Sequence, residues 1–161
     1  MIKDENLMET RESLAGVRME AYDTAHLSGT DAIGVMTVVE GGVPVKKEYR
    51  TFRIRGVQKN DDIASLKEIL SRRLAHSEWP IPSVIVVDGG RVHKKTAESV
   101  LKAAGISIPV VAVVKDERHR PREVIGALRA GVTEADAVLA NSEAHRFSLS
   151  RHRRARSKSI R

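Results

Sequence analysis

The chain has 161 residues, 41% of them apolar, with 28 Lys and Arg against 21 Asp and Glu and no cysteine. That length supports one domain with a real core, and the missing thiol excludes disulfides, thiolate metal sites and a cysteine nucleophile, as suits a reducing cytoplasm. No apolar run reaches the roughly 18 residues of a membrane span, and the first residues, MIKDENLMETRES, are charged, so a soluble cytoplasmic protein with neither signal peptide nor membrane contact is expected.

Residues 1–16 are polar with little periodicity and read as a leader or a linker remnant. Two extended segments rich in Val, Ile, Met and Thr follow, Val17–Asp23 and Asp31–Glu40, and a third runs from Val43 through Tyr49, Thr51, Phe52 and Ile54. The pair Gly41-Gly42 between two such runs predicts a hairpin, so the second and third strands should be antiparallel neighbours. From residue 60 the period changes. Ile63, Leu66, Ile69, Leu70 and Leu74 fall at helical spacing, with Asn60 or Asp61 as N-cap and Asp62 in the first turn.

SVIVVD, ending on Asp88, is a short apolar strand of the kind found inside a sheet covered on both faces. A second helix is predicted from about Val92 to Ala104, then a fifth strand, PVVAVV, from Pro109, and a charged loop, KDERHRPRE. Thr133 followed by acids opens a long last helix that runs into the basic end. Three strands, helix, strand, helix, strand, helix describe an α/β domain over 17–150. Its mixed five-stranded sheet carries helices on both faces, and 151–161 form a basic tail.

The charge excess is local. After Glu143 there is no acid, while Arg146, Arg151, Arg153, Arg154, Arg156, Lys158 and Arg161 supply seven positive charges, so the remaining 21 bases balance the 21 acids. Such a run is either a solvated tail or a grip on a phosphate backbone, whose counterions it would release. Aromatic residues make up only 3% of the chain, which argues against binding single strands by base stacking.

Asp88 ends a central strand, where open α/β sheets bind ligands, and Gly89-Gly90 permits a close turn after it; as a plain helix cap it would need no chemistry. GGRVHKK has neither phosphate-loop spacing. Asp23 ends the first strand in the same way. If the first and fourth strands are neighbours, Asp23 and Asp88 converge, and adjacent carboxylates persist mainly where they hold a hard cation or share a proton. Asp61 and Asp62 are further oxygen donors, or ordinary caps. On the last helix Ser142, His145, Leu149 and His152 fall near one face, and a histidine there is either packed or a ligand. His76, His93 and His119 are given no chemistry.

AYDTAH and the run from it to ILSRR, VIVVDGGRVHKK, IPVVAVVKDERHRPRE and SEAHRFSLSRHRRARSK together resemble, in order, the C-terminal nuclease domain of UvrC, the excision-repair endonuclease subunit. The resemblance spans about residues 17–158. It implies a ribonuclease H-like fold and a metal-dependent DNA endonuclease that incises on the 5' side of a lesion. It puts the family's acids on Asp23, Asp62 and Asp88 and its histidine on His145. Asp23 and Asp88 would hold Mg²⁺ or Mn²⁺, with Asp62 helping directly or through water and His145 completing the shell or handling a proton. Arg91, Lys94, Arg146, Arg151, Arg153 and Arg154 would hold DNA by its backbone, and the UvrB–DNA complex is the implied partner. Ser142 replaces the family's usual Asp before EAHRF, Val92 a glycine after DGG, and Ala25 a serine. Counterparts of the GIY-YIG nuclease, UvrB-binding and helix-hairpin-helix modules are not recognised, so an excised domain and a stand-alone relative are both open. The alternatives are a catalytically weak DNA-binding scaffold of the same fold and an endonuclease V-like nuclease.

Overall fold

The computed structural model describes residues 17–27, 31–58, 60–128 and 131–159, with side chains to Ala155. The expected leader, 1–16, and the side chains of Arg156, Lys158 and Arg161 lie outside the described residues. The strands are β1 (Arg18–His26), β2 (Ala32–Glu40), β3 (Val43–Pro44), β4 (Arg50–Ile54), β5 (Val84–Asp88), β6 (Val110–Lys115) and β7 (Pro121–Ile125). The helices are α1 (Asp62–Leu74), α2 (Arg91–Ala103) and α3 (Glu134–Ser159).

The sheet is mixed and runs β3-β2-β1-β5-β6-β7, with β4 also paired to β2. It has seven strands where the sequence predicts five. The third predicted strand is split by a 3-10 turn at Lys46–Glu48, and the charged loop is in part β7, antiparallel to β6. β7 is mostly exposed, so nothing in its sequence alternates between apolar and polar. The predicted neighbours hold: β2 pairs antiparallel with β3 and β4, and β1 pairs parallel with β5. Gly41 and Gly42 both have positive φ, 59° and 79°, as the two-residue turn joining β2 to β3 requires.

Alternation along the strands sends side chains into two cores. Tyr22, Ile85, Val87 and Ala112 pack with Leu66, Ile69 and Leu70 of α1 and Ala97, Val100 and Leu101 of α2. Met19, Ala21, Val84, Val86, Val111 and Val113 pack against Ala137, Ala140 and Ala144 of α3 on the opposite face. The alanines form the stripe that lets α3 lie close on the sheet. Its start is a reciprocal cap: the Asp136 N–H donates to Thr133 Oγ1, and the Thr133 N–H donates to Asp136 Oδ2 at 2.8 Å. At α1 the cap is Asp61, whose Oδ1 accepts from the Ala64 N–H.

Arg18 and Glu20 are both buried on the α1 face of β1. Glu20 is fully buried and accepts from Arg73 Nε and Nη2, at 2.7 and 2.8 Å, from Arg18 Nε and from the Tyr22 hydroxyl. Arg73 also donates to the carbonyl of Pro80 at 2.7 Å, so the network ties β1 to the end of α1.

Candidate active site

Asp23 and Asp88 lie on neighbouring parallel strands whose register pairs Tyr22 with Val87. Both side chains fall on the α3 face, continuing the rows Met19-Ala21 and Val84-Val86 of the core beneath that helix. The apolar runs end on charges because here the two strands leave the core and open on a cleft of about 80 Å³, lined by both acids, Tyr22, Thr24, Asp62 and His93. A second cleft of about 270 Å³ shares Thr24 and Asp62 with it.

Asp23 is 8% exposed. Its Oδ1 accepts from the Thr24 N–H at 2.8 Å and its Oδ2 lies 3.3 Å from His145 Nδ1. Burial, and after it the charge of Asp88, push its pKa up, against the pull of Lys115, the Thr24 amide and His145. Two acids thus face one space at an electrostatic cost.

Around Asp88 stand two residues that sequence reasoning missed. Lys115 Nζ lies 2.6 Å from Asp88 Oδ1, an ion pair without the direction of a good hydrogen bond. The ladder slips at Val114/Lys115, and a bulge of this kind re-aims the side chain at a strand end. Asn141, 1% exposed on α3, donates Nδ2 to Asp88 Oδ1 at 3.1 Å, while its own buried Oδ1 has no hydrogen-bond partner among the described residues. Lys115 carried the same signal as Asp88, an apolar run broken by a charge. Asn141 is the polar member of the alanine stripe.

The structure therefore brings Asp23, Asp88 and His145 together. Asp62 stands at the rim, on the first turn of α1, where its Oδ2 lies 2.7 Å from His93 Nε2. Among the described residues, no three His, Asp or Glu side chains converge closely enough on one point to enclose an ion. His93, given no chemistry from sequence, is thus in the site.

Ser142 and Leu149 are exposed and do not share the sheet-facing side, which is built from Ala137, Ala140, Asn141, Ala144 and Ser148. His145 and His152 flank that side. The second lies two turns further on, with Nε2 3.2 Å from the His26 carbonyl. Val92, where the resemblance led to an expected glycine, is exposed in the first turn of α2 and fits a helix there.

The basic residues fall in two groups at this end of the sheet. Arg91 is exposed at the first position of α2, and Lys94 pairs with Glu98 at 2.9 Å. Arg146 pairs with Glu143 at 2.8 Å, Arg151 stacks on Phe147 with its guanidinium 4.9 Å from the ring centre, and Arg153 and Arg154 are exposed. Glu143 also accepts from the Tyr49 hydroxyl. Arg146 first, and Tyr49 with it, hold its carboxyl below the usual range.

The UvrC RNAse H endonuclease domain family matches residues 10–157. The UvrABC system protein C of Caldanaerobacter subterraneus is 36% identical, over 98% of this chain and 30% of the relative. That of Caldicellulosiruptor saccharolyticus is 34% identical, over 89% of this chain and 26% of the relative. The chain thus spans less than a third of these relatives. In fold it is similar to endonuclease V of Ciona intestinalis, in complex with a DNA containing an inosine, at TM-score 0.54 and 11% identity over 99% of both chains. Endonuclease V of Streptomyces avermitilis gives 0.54 and 15%, over 98% of this chain and 93% of that one. Those identities speak for the ribonuclease H-like fold alone. With the matched family covering nearly its whole length, the chain belongs to the UvrC RNAse H endonuclease domain family.

Proposed function

We propose that this domain hydrolyses a phosphodiester of DNA with Mg²⁺ or Mn²⁺ held by Asp23 and Asp88, making the incision on the 5' side of a lesion within a UvrB–DNA complex. The observation that supports this reading best is the side-by-side placement of Asp23 and Asp88 on β1 and β5, with Asp23 buried and its pKa pushed up by that burial and by the charge of Asp88. The donor set suits a hard cation: carboxylate oxygens on adjacent strands, with the unpartnered amide oxygen of Asn141 beside them. A bound divalent ion would supply Lewis-acid activation of water and neutralise charge on the scissile phosphate.

The residues of the chain do the rest. Asp62, at the rim, helps bind directly or through water. His145 Nδ1, beside Asp23, is placed to hold or pass a proton or to complete the donor set. Lys115 balances Asp88 while the acids face each other alone. Arg91, Lys94, Arg146, Arg151, Arg153 and Arg154 hold the phosphate backbone without reading bases. Among the described residues no helix is long and apolar enough to cross a membrane, and the domain works on DNA in the cytoplasm.

The test is nicking of supercoiled plasmid or bubble DNA with Mn²⁺. Wild type should nick, and Asp23→Ala and Asp88→Ala should abolish nicking while DNA binding persists. Binding without nicking by wild type, across metals and substrates, would leave the scaffold reading in its place.

A further inference from the structure

We propose that His93 is a positioning residue that fastens Asp62 to the turn carrying Asp88; the proposal rests on the reading of Asp62 as a site acid. The backbone N–H of Gly90 points to His93 Nδ1 at 3.2 Å. An amide N–H can only donate, so Nδ1 accepts and carries no proton. The ring proton is therefore on Nε2, and Nε2 donates to Asp62 Oδ2 at 2.7 Å. One neutral ring, 31 residues from Asp62 in the chain, thus joins the first turn of α1 to the Asp88-Gly89-Gly90 turn.

The turn is built around that ring. Gly89 has φ +133°, and a Cβ there would meet His93 Nδ1 at 2.3 Å and Cγ at 2.4 Å. Any side chain at Gly89 would collide with the imidazole, so the first glycine leaves room for the ring as well as bending the chain. The bridge also fixes the Asp62 carboxylate, which otherwise stands on an exposed helix start with its side chain 56% accessible. A carboxylate oriented by a hydrogen bond presents its free oxygen in one direction instead of many.

The rival role is purely structural. His93 is the third residue of α2, and accepting the Gly90 N–H is half of a capping box, in which Gln or Glu serves equally well. Two substitutions separate the roles. His93→Gln can accept from Gly90 and donate to Asp62. His93→Glu can accept from Gly90 but can only repel Asp62. If His93 positions Asp62, His93→Gln nicks nearly as well as wild type. His93→Glu then loses nicking about 10- to 100-fold, the usual effect of removing such an outer partner, while its melting temperature stays near that of wild type. Equal nicking by the two variants, or equal loss in both, overturns the role.

A second measurement does not depend on cutting. Nitrogen-15 NMR of the ring in the wild-type chain should find Nδ1 unprotonated and Nε2 protonated, and a ring protonated on Nδ1 overturns the bridge. Should wild type fail to nick, the function proposed above falls while the ring tautomer still decides the bridge.

Discussion

Asp23 carries most of the electrostatic cost of the site, and the sign of that cost can be worked out. Burial first, then Asp88, raise its pKa, so the folded domain binds this proton more tightly than the unfolded chain does. The stability it contributes is complete below the unfolded value, about 3.9, and is lost as pH rises through the raised folded value. Above the unfolded value, with chelator present, the wild type therefore carries an acid whose ionised form its surroundings disfavour. Asp23→Asn keeps the shape and the Thr24 hydrogen bond without that charge. It should melt above wild type at pH 7 in calorimetry, with the gap closing as pH is lowered toward about 4. A variant that melts below wild type at neutral pH would reverse the argument. Added Mn²⁺ should raise the melting temperature of wild type more than that of the variant, because only the full carboxylate pair gains by binding it.

At the scale of elements, α3 carries both the residues that face the two acids and the arginines of the proposed DNA grip. Its alanine stripe lays the helix on β1 and β2, which sets Asn141 against Asp88 and His145 against Asp23. Further along the same helix stand Arg151, Arg153 and Arg154, on either side of His152, which meets the end of β1. Replacing these three arginines by alanine should weaken duplex binding and lower the slope of log K against log salt by about 0.9 for each phosphate no longer neutralised. Asp23→Ala should leave that slope alone. A slope unchanged in the triple variant would mean that the arginines are solvated and hold no DNA. The helix itself was legible in the sequence, but its buried side was not: large apolar residues such as Leu149 suggested one face, whereas a close approach to a sheet selects alanine. The acids of β1 and β5 were legible because an unbroken apolar run cannot end on a carboxylate inside a core, but the end of the first strand was not: β1 runs on past Asp23 to His26, held by its pairing with β2. His93 was not, since Asp62 lies on another helix, 31 residues away in the chain, where no spacing rule connects the two. β7 was hidden for the opposite reason: with both faces largely wet, it has no pattern to read.

Across the whole molecule, the site depends on two cores meeting along β1. Every second residue of that strand serves the α3 side, and the buried part of that row stops at Asp23; the others serve the α1 side and include Glu20 and Tyr22. The Glu20–Arg73 pair sets how the strand and α1 sit together, and so where the Asp62 end of that helix meets the cleft. It is buried on both sides, with side chains 0% and 3% exposed. Pairs so buried add little over an apolar replacement, but removing one partner strands a charge out of water. Arg73→Met should therefore cost about 3–5 kcal/mol in urea unfolding, although Arg18 and Tyr22 still donate to Glu20. Replacing both partners, Glu20→Leu with Arg73→Met, should recover much of that loss, since Arg18 keeps its second partner, Glu48, at 2.8 Å. If the double variant is as unstable as the single one, the network stabilises the fold by its own attraction rather than only avoiding an unpaired charge. In the recovered double variant, nicking should still fall. The apolar pair packs α1 on β1 without fixing its angle, so the distance from Asp62 to Asp23 and Asp88 is no longer held. Full activity there would show that the network has no part in placing the site.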